Sequence, residues 1–226
     1  HFAPTDKAVQ NLKNEHIVNS VWNVGNSVID ALLLGLKIIE SSGDDHYEKR
    51  FSFVNFSKKI ILVTGHRRES FGRPFEEMCE AILSLAEQNN NIEIVYPVHL
   101  NPNVQEPVNK ILLKNSRIHL IEPLSYPYLI WLLNKSFFVL TDSGGIQEEA
   151  PTLGKPVLVM REVTERTEGI DAGTAKLVGT DARKILSESQ RLLNDYDHYE
   201  EMSTAVNPYG VGDTCNQVVK ILKSVL

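Results

Sequence analysis

Thr64-Gly65-His66-Arg67-Arg68-Glu69-Ser70-Phe71-Gly72 sets an imidazole, two guanidinium groups and a carboxylate between two glycines, directly after a β-branched run. Such a set is too polar for a core. The plain reading is a solvated turn, and for a lone charged residue that reading prevails. A cluster at the carboxyl end of a parallel strand has another use: guanidinium forks match phosphate oxygens, and histidine moves a proton near neutral pH. His66 and the paired guanidinium groups of Arg67 and Arg68 are the groups available for that work.

A second loop, Thr141-Asp142-Ser143-Gly144-Gly145-Ile146-Gln147-Glu148-Glu149-Ala150, follows the apolar run 137–140. Ser143, Gly144 and Gly145 can present bare backbone amides and one hydroxyl at a helix start, where orphan N–H groups favour an anion. Most Ser-Gly-Gly tripeptides are only turns; the order strand, glycine pair, helix and acid points instead to a ligand site. Glu149, further into that helix, is placed to reach a ribose diol. In Tyr96-Pro97-Val98-His99-Leu100-Asn101-Pro102, His99 lies on a loop stiffened by prolines. It is either a ligand contact or a partly buried ring bonded to nearby backbone. Met160-Arg161-Glu162-Val163-Thr164-Glu165-Arg166 reads as a solvated mixed-charge loop or, from its place beyond a strand, as a base from which Arg166 reaches a ligand. Trp22 and Trp131 read as packing residues, and His16, His46, His119 and His198 as surface or satisfied core residues.

The elements that must position these loops alternate. Apolar patterning predicts a helix at 5–15, a strand at 17–24, a turn at 25–26 and a helix at 28–39, then a polar connection at 41–58 with one helical turn. Beyond it come strands at 59–64, 92–96, 118–121, 137–141, 156–160 and 174–178. Helices are predicted at 75–88, 104–113, 126–134, 145–153, 182–194, 196–206 and 214–225. This alternation implies right-handed βαβ units and an α/β, Rossmann-like, doubly wound parallel sheet, with ligands bound where strands end and helices begin.

Composition bounds the partners. With 226 residues, 42% of them hydrophobic, the chain can bury the core of one domain or of two small ones. A net charge of -6 argues against nucleic acid, which needs concentrated Lys and Arg to displace counterions. Apolar runs such as 31–36 and 59–63 fall far short of a membrane span, and no secretory signal pattern is present, so the cytoplasm is the default expectation. Cys79 and Cys215 lack the partners of a disulfide framework or a zinc site and read as reduced thiols. No Walker sequence, His-Glu metal pair or nucleophile elbow occurs, and no metal is expected. The opening His1-Phe2-Ala3-Pro4-Thr5, without an initiator methionine, reads as part of a longer polypeptide.

His1-Phe2-Ala3-Pro4-Thr5, Gly65-His66-Arg67-Arg68-Glu69-Ser70, Pro97-Val98-His99-Leu100-Asn101-Pro102, the Thr141–Ala150 segment and Asn207-Pro208-Tyr209-Gly210 together resemble the non-hydrolysing UDP-N-acetylglucosamine 2-epimerases. The resemblance covers essentially the whole chain and about the second half of the family's polypeptide. It implies one half of a GT-B-type enzyme: residues 1–226 as its C-terminal UDP-binding domain, 1–26 as the inter-domain entry segment, and 207–226 as a terminal helix returning toward an N-terminal domain. It further implies interconversion of UDP-N-acetylglucosamine and UDP-N-acetylmannosamine through 2-acetamidoglucal, without cofactor or obligatory metal, in a homodimeric enzyme of cell-envelope polysaccharide synthesis.

Residue by residue, the resemblance implies that His66 stabilises or protonates departing UDP and that Ser143, Gly144 and Gly145 bind its phosphates. Glu149 would hold the ribose, Arg166 would make a further UDP contact, and the main chain near Leu124 and Leu129 would read uracil. Arg67 and His99 match positions that contact a second, activating UDP-N-acetylglucosamine. Thr167 stands where a proline is expected, and the carboxylates that handle the C2 proton belong to the N-terminal domain. A GT-B glycosyltransferase domain and a non-catalytic UDP-sugar sensor are the rival readings.

Overall fold

The computed structural model describes residues 1–225. The chain runs through β1 (Phe2–Ala3), α1 (Asp6–Asn14), β2 (Trp22–Asn23), α2 (Ser27–Ser42), α3 (Asp45–Arg50), β3 (Lys59–Thr64), α4 (Arg73–Gln88), β4 (Ile92–Pro97) and α5 (Pro102–Leu112). It continues through β5 (Ile118–Ile121), α6 (Tyr126–Lys135), β6 (Phe138–Thr141), α7 (Gly144–Glu149), β7 (Val157–Val159), α8 (Thr167–Asp171), β8 (Ala175–Leu177), α9 (Ala182–Asn194), α10 (Tyr196–Thr204) and α11 (Thr214–Val225).

Strands β3 to β8 form a six-stranded parallel sheet in the order β5-β4-β3-β6-β7-β8. The chain winds outward from β3 to β5, returns to lay β6 against the other side of β3, and winds outward again. The expected α/β doubly wound architecture is therefore present, with its topological switch between β3 and β6.

A sheet covered on both faces needs strands that are apolar at nearly every position, as Ile60–Val63, Phe138–Leu140 and Val157–Val159 are. Alternate side chains serve opposite faces. Ile61, Val63 and Leu140 join a core with Phe75, Met78, Ile82 and Leu85 of α4, Val104 and Val108 of α5, and Ile185 and Leu192 of α9. Ile60, Leu62 and Val139 join the other, with Leu32 and Ile39 of α2, Tyr47 and Phe51, and Ile130 and Trp131 of α6. Trp131 stacks on Phe51 at 5.3 Å, so its packing role holds. Side-chain caps set several helix starts: Thr5 for α1, Asn26 for α2, Asn101 for α5 and Asp181 for α9.

Four expectations need correction. The strand expected at 17–24 shrinks to Trp22–Asn23, paired with Phe2–Ala3. His16 and Ser20 take positive φ, and Val18 is 65% exposed, so the β-branched residues there line no pleat. The helix expected at 145–153 stops at Glu149 and continues as a 3₁₀ turn over Ala150–Leu153, where Pro151 cannot donate to an α-helical ladder. The loop after Arg166 carries α8, opened by Thr167 itself, whose hydroxyl accepts from Lys7 Nζ. His198 is neither a surface residue nor a satisfied one: both ring nitrogens are buried without a hydrogen bond.

The entry and exit segments meet. Asn26 N–H donates to the Tyr209 carbonyl at 2.7 Å, and the Thr5 hydroxyl donates to Glu168 at 2.8 Å. The start of α11 is held by the Asp30 carboxylate, which accepts from the N–H groups of Thr214 and Cys215 at 3.2 and 2.9 Å. Val219, Leu222 and Val225 of α11 remain exposed. Among the described residues no helix is long and apolar enough to cross a membrane.

Candidate functional site

The residues that the sequence marked for chemistry follow the carboxyl ends of β3, β4, β5, β6 and β7. Thr64 and Thr141, opposite each other in register, share a hydroxyl hydrogen bond of 2.5 Å at the last rung of the switch. The chain then diverges into two loops, and Asp142 stitches them together. Its carboxylate, 0% exposed, accepts the backbone N–H groups of His66 and Arg67 through Oδ2 at 2.6 and 2.7 Å. Its main-chain carbonyl accepts from Arg67 Nε at 3.2 Å.

The turn below is set by Tyr96, whose hydroxyl donates to the Gly65 carbonyl at 2.7 Å. A Cβ at Gly65 would stand 3.1 Å from that hydroxyl, tighter than an unstrained neighbour sits, which is why glycine fits there. Burial pushes the Tyr96 phenol well up, keeping it a donor. Tyr96→Phe leaves a buried carbonyl unpaired and is expected to lower unfolding stability by about 1–3 kcal/mol, read by urea denaturation. An unchanged midpoint would show that the carbonyl finds another partner.

His66 and His99 stack nearly parallel, ring centroids 5.3 Å apart and 11° between planes. His99 Nδ1 accepts the Asn101 N–H at 3.1 Å, which assigns its proton to Nε2. Across from them, Ser143 caps α7 without spending its hydroxyl on the helix, and its N–H donates to Thr141 Oγ1 at 2.9 Å. Gly144 and Gly145 follow as the first residues of α7.

These groups border a cleft of about 290 Å³. His66, His99, Ser143, Gly145 and Glu149 supply its polar edges, and Leu124, Leu129, Ile146, Pro97 and Pro123 its apolar walls. Glu149, only 6% exposed, accepts the Tyr126 hydroxyl at 2.5 Å. Burial raises the Glu149 carboxyl above its usual range; the Tyr126 hydrogen bond opposes this and Glu148 adds to it. Burial, then Glu149, pushes the Tyr126 phenol up in turn.

Two of the marked residues face elsewhere. Arg166 lies behind Gly144, donating from Nε to Glu148 Oε1 at 2.7 Å and opening on a separate groove with Pro4, Thr5 and Lys7. Glu148 also accepts from Asn26 Nδ2 at 2.8 Å, tying the entry segment to α7. Arg67 turns toward Glu165 at 3.5 Å, and Arg161 and Arg166 meet the same carboxylate at 2.7 and 3.6 Å. That carboxyl is pushed down to about 2, first by its own backbone N–H and then by Arg161. Sequence reasoning assigned no role to Asp142, Tyr126 or Glu148. An acid immediately after the apolar β6 run was the one available signal for Asp142; the partners of the other two are legible only in three dimensions.

A polar-edged cleft at the reversal point of a doubly wound parallel sheet defines a Rossmann-like ligand-binding domain. A family model described as UDP-N-acetylglucosamine 2-epimerase matches residues 1–223, and the chain belongs to that family. It is 53% identical over 227 residues to the UDP-N-acetylglucosamine 2-epimerase of Salmonella typhimurium, covering 99% of this chain and 60% of the relative. Among solved structures it is similar to the UDP-GlcNAc 2-epimerase of Neisseria meningitidis bound to UDP-GlcNAc, with TM-score 0.94 and 42% identity over 99% of this chain and 61% of that one. It is likewise similar to S. aureus MnaA in a co-structure with UDP, with TM-score 0.90 and 42% identity over 99% of this chain and 60% of that one. The chain thus spans about 60% of the length of the curated relatives it matches.

Proposed function

We propose that this chain is the UDP-binding half of an enzyme that interconverts UDP-N-acetylglucosamine and UDP-N-acetylmannosamine. The observation that carries the reading is the convergence of His66, Ser143, Gly145 and Glu149 on one cleft at the β3/β6 switch. UDP enters with its diphosphate against the bare amides of Gly144 and Gly145 and the Ser143 hydroxyl, and its ribose diol on Glu149. The uracil lies between the Leu124 and Leu129 segments, read by main-chain atoms.

In the forward step a base from the remainder of the enzyme removes the C2 proton, the C–H pair becomes the C1=C2 bond of 2-acetamidoglucal, and the C1–O bond breaks. The electron pair leaves with UDP, where His66 donates a proton or hydrogen bond to the departing phosphate oxygen. Re-addition of UDP with protonation of the opposite C2 face completes epimerisation. Arg166 reaches the nucleotide after exchanging its present carboxylate partners, and Arg67, now turned toward Glu165, serves with His99 a second UDP-N-acetylglucosamine as activator. We place the enzyme in the cytoplasm as a homodimer supplying cell-envelope polysaccharide synthesis.

The test has two arms. UDP titrated into this chain is expected to move the amides of Ser143 through Gly145; silent amides in a folded sample reject the site. The full-length enzyme, given UDP-N-acetylglucosamine in deuterated water with no acceptor, is expected to form the manno isomer carrying deuterium at C2. Absence of both the manno isomer and the exchange would reject the epimerase reading and leave the sensor and the glycosyltransferase.

A further inference from the structure

The Asp142 carboxylate has one oxygen fully committed and one idle. Oδ2 takes two backbone N–H groups, while Oδ1 is buried with no hydrogen bond, and His66 Nδ1 lies 3.4 Å from it. A desolvated carboxylate oxygen without a donor is costly, so the proton arrangement that supplies one is strongly favoured. If His66 Nδ1 is bare, two lone pairs oppose each other across that gap. If Nδ1 carries hydrogen, a slight ring rotation completes an N–H···O bond.

Building on the epimerase reading, we propose that Asp142 is the positioning residue for His66: it holds Nδ1–H inward and thereby presents Nε2 to the departing diphosphate. The same carboxylate fixes the His66 backbone through its N–H, so the ring has a clamped base as well as a set orientation. As UDP leaves, Nε2 of the imidazolium gives its proton to the phosphate oxygen released from C1. The neutral ring keeps Nδ1–H on Asp142, and re-addition returns the proton to Nε2. Asp142 orients and balances the ring without taking its proton. His99 is the opposite case: its Nδ1 accepts from Asn101, so the two stacked rings carry their protons on different nitrogens.

Long-range ¹H–¹⁵N correlation of the ring nitrogens in alkaline buffer reads this directly. Wild-type chain is expected to show Nδ1–H for His66 and Nε2–H for His99. In Asp142→Asn the amide oxygen still accepts the two backbone N–H groups while the amide nitrogen donates to Nδ1, switching His66 to Nε2–H. In the full-length enzyme the same variant is expected to lose about 10²–10⁴-fold in kcat, with KM changed far less. UDP titration of the wild type is run alongside: failure to bind rejects the nucleotide site itself. UDP binding with His66 found as Nε2–H in the wild type overturns the Asp142 proposal alone, as does a folded Asp142→Asn enzyme with unaltered kcat. Should the variant not fold, the wild-type tautomer decides.

Discussion

Gly145→Ala is expected to leave the domain folded, with a melting temperature equal to or above the wild type, while weakening UDP binding about tenfold or more. Alanine is the better helix former by about 1 kcal/mol, and the added Cβ would meet Glu149 Oε2 at 3.8 Å and Ser143 Oγ at 3.9 Å, ordinary contacts that need no rearrangement. That methyl group lies between two polar edges of the cleft, in space that the proposed reading gives to the diphosphate. Loss of one charge-assisted hydrogen bond corresponds to about 1.5–3 kcal/mol, or roughly ten- to a hundredfold in affinity. Calorimetric titration beside a thermal melt separates the two effects. Wild-type affinity in the variant would place the phosphates elsewhere.

Glu149→Gln should likewise stabilise the fold and damage binding. Because burial raises the Glu149 carboxyl above its ordinary 4.5, the folded state holds this proton more tightly than the unfolded state does. Its ionisation therefore removes stability as pH rises from 4.5 through the raised folded value, and the loss is complete above both. Glutamine stays neutral and can still accept the Tyr126 hydroxyl, so the variant is expected to melt higher than wild type at neutral pH, with the advantage shrinking as acidification crosses that interval. UDP affinity should fall about ten- to a hundredfold with loss of the charged acceptor for the ribose diol. In the wild type, affinity should begin to decline on acidification at a pH above the usual carboxylate range. A variant less stable than wild type at neutral pH would mean that the ionised carboxylate is compensated.

The sheet was readable because its strands are buried on both faces: Ile60 to Val63 and Phe138 to Leu140 have no other place to go. The β3 and β6 ends then located His66 and Ser143 without any tertiary information. Residues 17–24 misled because the sequence displays β-branching but neither the positive φ of Ser20 nor the pairing that reaches only Trp22 and Asn23. Five-residue α8 contains a glycine and two acids and offers too few turns for a period to register. Asp142 and Tyr126 act through partners that the chain reaches only after long detours, 76 residues back to His66 and 23 on to Glu149. Arg166 was assigned by loop position, yet direction depends on Glu148, whose burial no local pattern announced.

The reversal of strand order between β3 and β6 also dictates a sequence of assembly. β3 and β4 are near neighbours along the polypeptide, whereas Ile61 must find Phe138 across everything that lies between them. Closing the larger loop demands more chain entropy, so this seam is expected to form after the β3–β4 pair. The cleft straddles it, and on the proposed reading an incompletely folded molecule offers UDP no site. Ligand that bridges the seam should therefore act as a clasp on the native state as a whole, protecting slow-exchanging amides far from the cleft.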